Sequence, residues 1–107
     1  MRVIKEGHVY GLNMLGLGPE KVVMDMTGEQ CLQFVEMYED GSYFNATTNE
    51  EVLKVLIDRM KYLNKKFPCR ENSIVITKLE ESLMWLEYRT EKRVLQGVEG
   101  KHEAHES

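Results

Sequence analysis

The chain has 107 residues, of which 42% are hydrophobic and 30% charged, and its formal net charge is −4. That length allows one domain and leaves much apolar surface poorly covered in a monomer. An acidic balance argues against duplex nucleic acid, whose binders carry a basic excess, but not against a small phosphorylated ligand, which needs only a local cluster of donors.

There is no signal peptide and no apolar run approaching the length of a membrane span, so the chain reads as soluble and cytosolic. Two cysteines, Cys31 and Cys69, lie far apart and outside any CxxC or Cys/His cluster. In a reducing compartment they are expected to be free, partly buried thiols.

Residues 1–47 are rich in β-formers and turn signals. Val9, Tyr10, Leu12 and Leu15 in HVYGLNMLG predict a first strand broken by glycines. KVVMDM (21–26) alternates enough for a second strand, and QCLQFVEMY (30–38) gives a third. Asp40-Gly41 is a hairpin signal, with Tyr43-Phe44 starting a return strand. The reading is a small antiparallel sheet of three or four strands. Gly11, Gly16 and Gly18 are too irregularly spaced for a dinucleotide fingerprint and read as turn glycines.

Residues 48–97 read as a helical hairpin that forms one compact domain with the sheet, an α+β fold. Thr48 with Glu51 makes a capping box, which starts the first helix near Asn49. Its apolar positions Val52, Leu53, Val55, Leu56, Ile57, Met60 and Leu63 cover more than one face. They predict packing on the sheet or second helix and on another subunit. Asn64-Lys65-Lys66-Phe67-Pro68 ends this helix, since proline blocks its continuation. The second helix is predicted from Cys69 or Arg70 to Leu95, with Gly97 just beyond as a stop. At about 1.5 Å per residue such a rod is roughly 40 Å long and outruns a domain of this size, which also points to oligomerisation.

Placed around the second helix, Ile76, Leu79, Leu83, Leu86 and Val94 form a core stripe. Lys78, Ser82, Trp85, Arg89 and Arg93 form another. Arg89 and Arg93 are a like-charge pair one turn apart, which is unfavourable unless an anion or acid offsets it. Trp85 sits one turn before Arg89, where its ring stacks with a guanidinium or a base. The stripe fits a flat anion such as a nucleotide. It also fits a solvated basic face neutralised by Glu81, Glu87 and Glu91, with Trp85 covering a subunit contact.

Other chemistry is sparse. His102 and His105, with Glu103 and Glu106, have metal-like spacing, but they sit in the polar tail (98–107), where nothing orders an outer shell of ligands. His8 beside the first strand reads as a satisfied structural histidine. Asp25, Glu36, Glu39 and Asp40 would form an acid pair only through folding. No HExxH, P-loop or nucleophile–base arrangement is present, so no enzyme, metal or cofactor is predicted.

NEEVLKVLIDRMKYL, then FPCRENSIVITKLEESLMWLEYRTEKRV, then GVEGKH resembles the hairpin domain of phage anti-defence proteins, the cyclic-nucleotide sponges that counter bacterial CBASS and Thoeris systems. HVYGLNML followed by a short sheet is similar to the Thoeris-inhibiting branch. The resemblance spans roughly residues 8 to 102 and is most specific at CREN, TKLEE and MWL. It implies a non-enzymatic homo-oligomer, often a hexamer, acting in the cytoplasm of the infected host. Pockets between its protomers would bind cyclic ADP-ribose isomers, cyclic dinucleotides or cyclic trinucleotides, leave them intact and keep the effector off. By position it implies stacking for Tyr62, base or ribose hydrogen bonds for Asn72 and phosphate binding for Arg89. Arg70, Lys78 and Arg93 match less closely. Family members often carry a basic residue near the position of His8.

An arginine holds phosphate through paired hydrogen bonds, while sequestration needs slow release and no acid, base or nucleophile. Two other classes stay open: a helical module that binds a host protein and no nucleotide, and an enzyme that degrades the messenger.

Overall fold

The computed structural model describes residues 1–14 and 29–99, the side chains of residues 98 and 99 excepted. The chain divides into two compact units, Met1–Thr48 and Asn49–Ser107. The first is built of β-strands and the second of two helices, so the class is α+β.

The first unit holds β1 (Arg2–Lys5), β2 (Val9–Asn13), β3 (Glu29–Gln33), β4 (Glu36–Met37) and β5 (Tyr43–Phe44). Two antiparallel sheets result, one ordered β1-β2-β3 and the other a β4-β5 hairpin. The strand at Arg2–Lys5 is additional to the prediction. Every residue of RVIK is exposed, so it carries no burial alternation, and pairing with β2 alone defines it. The turn into β2 is closed by the His8 amide on the Lys5 carbonyl at 3.0 Å and uses Gly7 at φ 77°. Left-handed backbone of this kind is costly for any residue with a Cβ.

The run 30–38 is interrupted, not one strand. β3 ends at Gln33, and Phe34 leaves the ladder to form a parallel bridge with Thr47. The Val35 amide donates to the Thr47 carbonyl at 2.8 Å and the Thr47 amide to the Gln33 carbonyl at 3.2 Å. The ring of Phe34 meets Tyr10 edge to face, with centroids 5.9 Å apart. The hairpin signal at Asp40-Gly41 is realised. Gly41 takes φ 89°, and Met37 pairs with Tyr43 and Glu36 with Phe44. Leu15, the expected strand at 21–26, Gly16 and Gly18 lie outside the described residues.

Gly11 is not a turn glycine. It is a buried residue in the middle of β2, paired with Cys31. A Cβ built there would sit 2.8 Å from a carboxylate oxygen of Glu29, whose other contacts include a paired interaction with Arg2 at 2.8 and 3.1 Å. Glycine leaves room for that carboxylate, and a larger residue would oblige the Glu29 side chain to shift.

The second unit is a hairpin of α1 (Asn49–Lys66) and α2 (Arg70–Glu99). α1 starts immediately after the capping residue predicted at Thr48. Acids in its first turn and Lys65 and Lys66 in its last complement the helix dipole. Phe67-Pro68 ends it as expected, and the turn is closed by side chains. Asn64 Oδ1 accepts from the Cys69 amide at 3.2 Å, and Asn72 Nδ2 donates to the Phe67 carbonyl at 3.3 Å. The Asn72 amide points at the Cys69 sulfur at 3.4 Å, which makes Cys69 the cap of α2.

α2 does not stop at Leu95. It runs through Gly97 to Glu99, and Gly97 has no positive φ. Glycine permits a left-handed stop without imposing one, and here the helical ladder continues.

The hairpin core is thin. Ile57 on α1 is the buried apolar side chain, and Val52, Leu53, Met60 and Leu63 are half-buried. So are Ile76, Leu79, Leu83 and Leu86 on α2. Val94, expected in the same stripe, is 59% exposed. The Lys61–Glu80 ion pair, 3.0 Å long, shows why: with helices antiparallel, α1 begins level with about Lys92, and α2 beyond that point has no partner helix.

Candidate functional site

The outward side of α2 carries the predicted stripe. Lys78, Ser82, Trp85, Arg89 and Arg93 are all exposed and recur every three or four residues, one above another on a helix. Ser82 does not face a ligand freely, because its hydroxyl donates to the Lys78 carbonyl at 2.9 Å. Trp85 is 60% exposed.

The acids expected to neutralise this face do not do so. Among the described residues, neither Arg89 nor Arg93 has a carboxylate within ion-pair distance, and the hairpin's ion pair joins Lys61 to Glu80 instead. Two guanidinium groups one turn apart therefore stand without a counter-charge among the described residues. Each keeps its five N–H donors for another partner.

Trp85 has a neighbour that the stripe did not include. Tyr88 meets it edge to face with centroids 6.0 Å apart, and Met84, Trp85 and Tyr88 line one shallow depression. All three are more than half exposed. The signal for Tyr88 was its position three residues after Trp85, which on a helix brings rings together.

The remaining candidates are spread along the hairpin. Tyr62 lies on α1, half exposed, with the Lys66 ammonium 4.9 Å from its ring centroid. Arg70 is the exposed first residue of α2. Asn72, half-buried, has one amide hydrogen committed to the Phe67 carbonyl, which leaves its Oδ1 as an acceptor. From Asn72 to Arg89 is seventeen residues of α2, roughly 25 Å at helical rise. Tyr62 is level with about Leu79, roughly 15 Å from Arg89 along the axis. One hairpin thus groups Trp85, Arg89 and Arg93, and separately Arg70 and Asn72 by the turn, and does not bring Tyr62, Asn72 and Arg89 to one point.

Two of the acids considered for an acid pair, Glu36 and Asp40, are engaged elsewhere. Lys5 donates to both oxygens of Glu36 at 2.7 and 2.9 Å, which holds that carboxyl below its ordinary range. Asp40 accepts from the hydroxyl and amide of Ser42 and is lowered likewise. His8 Nδ1 lies 3.0 Å from the Glu6 carbonyl, the satisfied histidine expected. Cys31 and Cys69 are free thiols but exposed, not partly buried: one is on β3 and the other caps α2. Among the described residues no group of three His, Cys, Asp or Glu is gathered as for a metal ion. Asp25, His102 and His105 lie outside those residues.

Residues 28–91 match the family described as Acb2/Tad1, hairpin domain. The chain belongs to this family. The match spans β3, the β4-β5 hairpin, α1 and most of α2, including the outward stripe through Arg89. The chain is also 52% identical over 92 residues to "Thoeris anti-defense 1" of Bacillus phage SBSphiJ7. That alignment covers 82% of this chain and 63% of the relative, so the chain spans less than two thirds of the relative's length. No helix among the described residues is long and apolar enough to cross a membrane.

Proposed function

We propose that this Acb2/Tad1 family member is a phage immune-evasion protein that binds cyclic nucleotide messengers and holds them intact, without catalysis. The observation that carries this reading is the exposed face of α2. It offers Arg89 and Arg93 without counter-charges among the described residues, next to Trp85 with its own ring contact to Tyr88. Paired cations beside aromatic rings suit phosphate and base together. Membership of the family and the anti-defence name of the phage relative support the biological setting, the cytoplasm of an infected bacterium.

The site is an inter-protomer one. A pocket needs concavity, and within one hairpin Tyr62, Asn72 and Arg89 lie too far apart for one small ligand. A second copy supplying Tyr62 and Asn72 against Arg89 of the first would complete it, with Arg70, Lys78 and Arg93 at its edges. Exposed Val55, Leu56, Met84 and Tyr88 on the hairpin favour assembly, and a hexamer is the form proposed. Cyclic ADP-ribose isomers are the first candidate ligands, then cyclic di- and trinucleotides.

The test is calorimetric titration of the whole protein with cyclic ADP-ribose isomers, cyclic di-AMP and cyclic tri-AMP, followed by heat release and chromatography of what was bound. Tight binding with unaltered ligand recovered supports sequestration. Altered ligand makes the protein an enzyme. No binding across the panel leaves a protein-binding helical module, for which the exposed Met84, Trp85 and Tyr88 cluster is the natural surface.

A further inference from the structure

The turn between the two helices is fastened by asparagines that reach in opposite directions. Asn64, two residues before the end of α1, reaches forward, and its Oδ1 accepts from the Cys69 amide at 3.2 Å. Asn72, the third residue of α2, reaches back, and its Nδ2 donates to the Phe67 carbonyl at 3.3 Å. Helix ends leave amides and carbonyls without backbone partners, and here each helix supplies a side chain to the end of the other.

Asn72 is held at two points. Its backbone amide meets the Cys69 sulfur at 3.4 Å while its side chain meets Phe67. A carbonyl only accepts, so it must face the amide nitrogen, which turns Oδ1 the other way. Asn64 is fixed in turn, because its Nδ2 donates to the Ser73 hydroxyl at 3.4 Å. Both asparagines are half-buried. Among the described residues, Asn72 is the candidate ligand contact whose side chain is oriented by hydrogen bonds of the fold.

We propose that Asn64 and Cys69 are positioning residues for ligand binding, which act by holding Asn72 with its Oδ1 open as an acceptor. This rests on the binding function proposed above. Asn64 fixes the Cys69 amide, Cys69 fixes the Asn72 amide, and the Phe67 carbonyl sets which way the Asn72 side chain is turned. The open Oδ1 then accepts from an N–H or O–H of the ligand, a base amino group or a ribose hydroxyl. An asparagine ordered before the ligand arrives loses less conformational freedom on binding, so the turn contributes affinity without touching the ligand.

The experiment titrates a cyclic ADP-ribose isomer and cyclic di-AMP into the full-length protein. It uses the parent, Asn64→Leu, Cys69→Ala, Cys69→Ser, Asn72→Ala and the double variant Asn64→Leu/Asn72→Ala, each measured for oligomer mass and helicity. For whichever probe the parent binds, Asn64→Leu and Cys69→Ala are each expected to weaken binding roughly three- to tenfold, as for one lost neutral hydrogen bond. Cys69→Ser keeps an acceptor for the Asn72 amide and should bind nearly like the parent. In the Asn72→Ala background, Asn64→Leu should cause no further loss, since a residue acting through Asn72 has nothing left to position. An equal loss in both backgrounds would give Asn64 a general structural role and overturn the proposal. If Asn64→Leu and Cys69→Ala bind like the parent, the positioning role is wrong and the sequestration reading stands. If the parent binds neither probe, the sequestration reading fails and takes the positioning role with it. Loss of binding together with the oligomer would assign the turn to assembly, which also overturns it.

Discussion

The rings of Trp85 and Tyr88 meet edge to face at 6.0 Å, yet both remain more than half exposed. An aromatic pair of this geometry contributes about 0.5–1.5 kcal/mol beyond its burial. Little of the indole is packed against the hairpin, so truncation leaves the hairpin itself nearly intact. Trp85→Ala should lower the melting temperature only slightly while reducing ligand affinity or oligomer mass. Circular dichroism and light scattering on the same sample check this. A large fall in melting temperature with assembly and binding unaffected would contradict it.

Ile57 makes the opposite case. It is the buried apolar residue of the hairpin and faces the half-buried leucines of α2. Ile57→Ala should cost about 2–4 kcal/mol through lost burial and a residual cavity. Val55→Ala, on the exposed side, should change stability by a few tenths of a kcal/mol. Urea unfolding of the two variants side by side distinguishes them.

The Lys61–Glu80 pair joins α1 to α2 with both side chains about half exposed. Solvent screening reduces such a pair to about 0.2–1 kcal/mol. A double-mutant cycle with Lys61→Met and Glu80→Gln should return a coupling in that range, and added salt should shrink it. A coupling above that range would mean that the pair is desolvated by assembly.

Lys5 and Glu36 give the β-rich unit a pH dependence. The hydrogen bonds from Lys5 hold the Glu36 carboxyl below its ordinary range, so the folded state binds this proton less readily than the unfolded chain. The stabilisation is present above the ordinary carboxylate value and is lost as pH falls through the depressed one. Glu36→Gln should therefore reduce stability at neutral pH and make little difference in strong acid. Parallel thermal melts across the acid range test this, and a difference that persists unchanged in strong acid would refute it.

Gly97 sits within α2 with nothing near the position of a Cβ and without a left-handed φ. Gly97→Ala should stabilise the helix end by up to about 1 kcal/mol by restricting the unfolded chain. Increased helicity by circular dichroism is the expected sign. A loss of helicity would show that the glycine serves close packing in the assembled protein.

The helical hairpin was legible because its signals are local. Thr48 and Glu51 mark the start, Pro68 forces the break, and the apolar period identifies Leu79, Leu83 and Leu86 as the inner face. The β-unit was less so, since β1 exists only through partners four to nine residues on and shows no burial pattern of its own. Phe34 and Thr47 pair outside any regular ladder. The candidate site was half legible. Helical spacing places Trp85, Arg89 and Arg93 together, and no periodicity tells which further groups would complete a site with them. The extent of α2 was misread because Gly97 looks the same in sequence whether it ends a helix or sits inside one.

The space beside Gly11 has a consequence for how this gene can drift. Glu29 fills the place of a side chain there while also pairing with Arg2, so three positions scattered over the first three strands are mutually dependent. A side chain at Gly11 would oblige the Glu29 carboxylate to shift and so bears on its bridge to the first strand. Exposed Arg2 looks expendable when considered alone, yet it holds Glu29 in place. Substitutions at these sites should therefore tend to appear together, a covariation signature carried by a residue with no side chain.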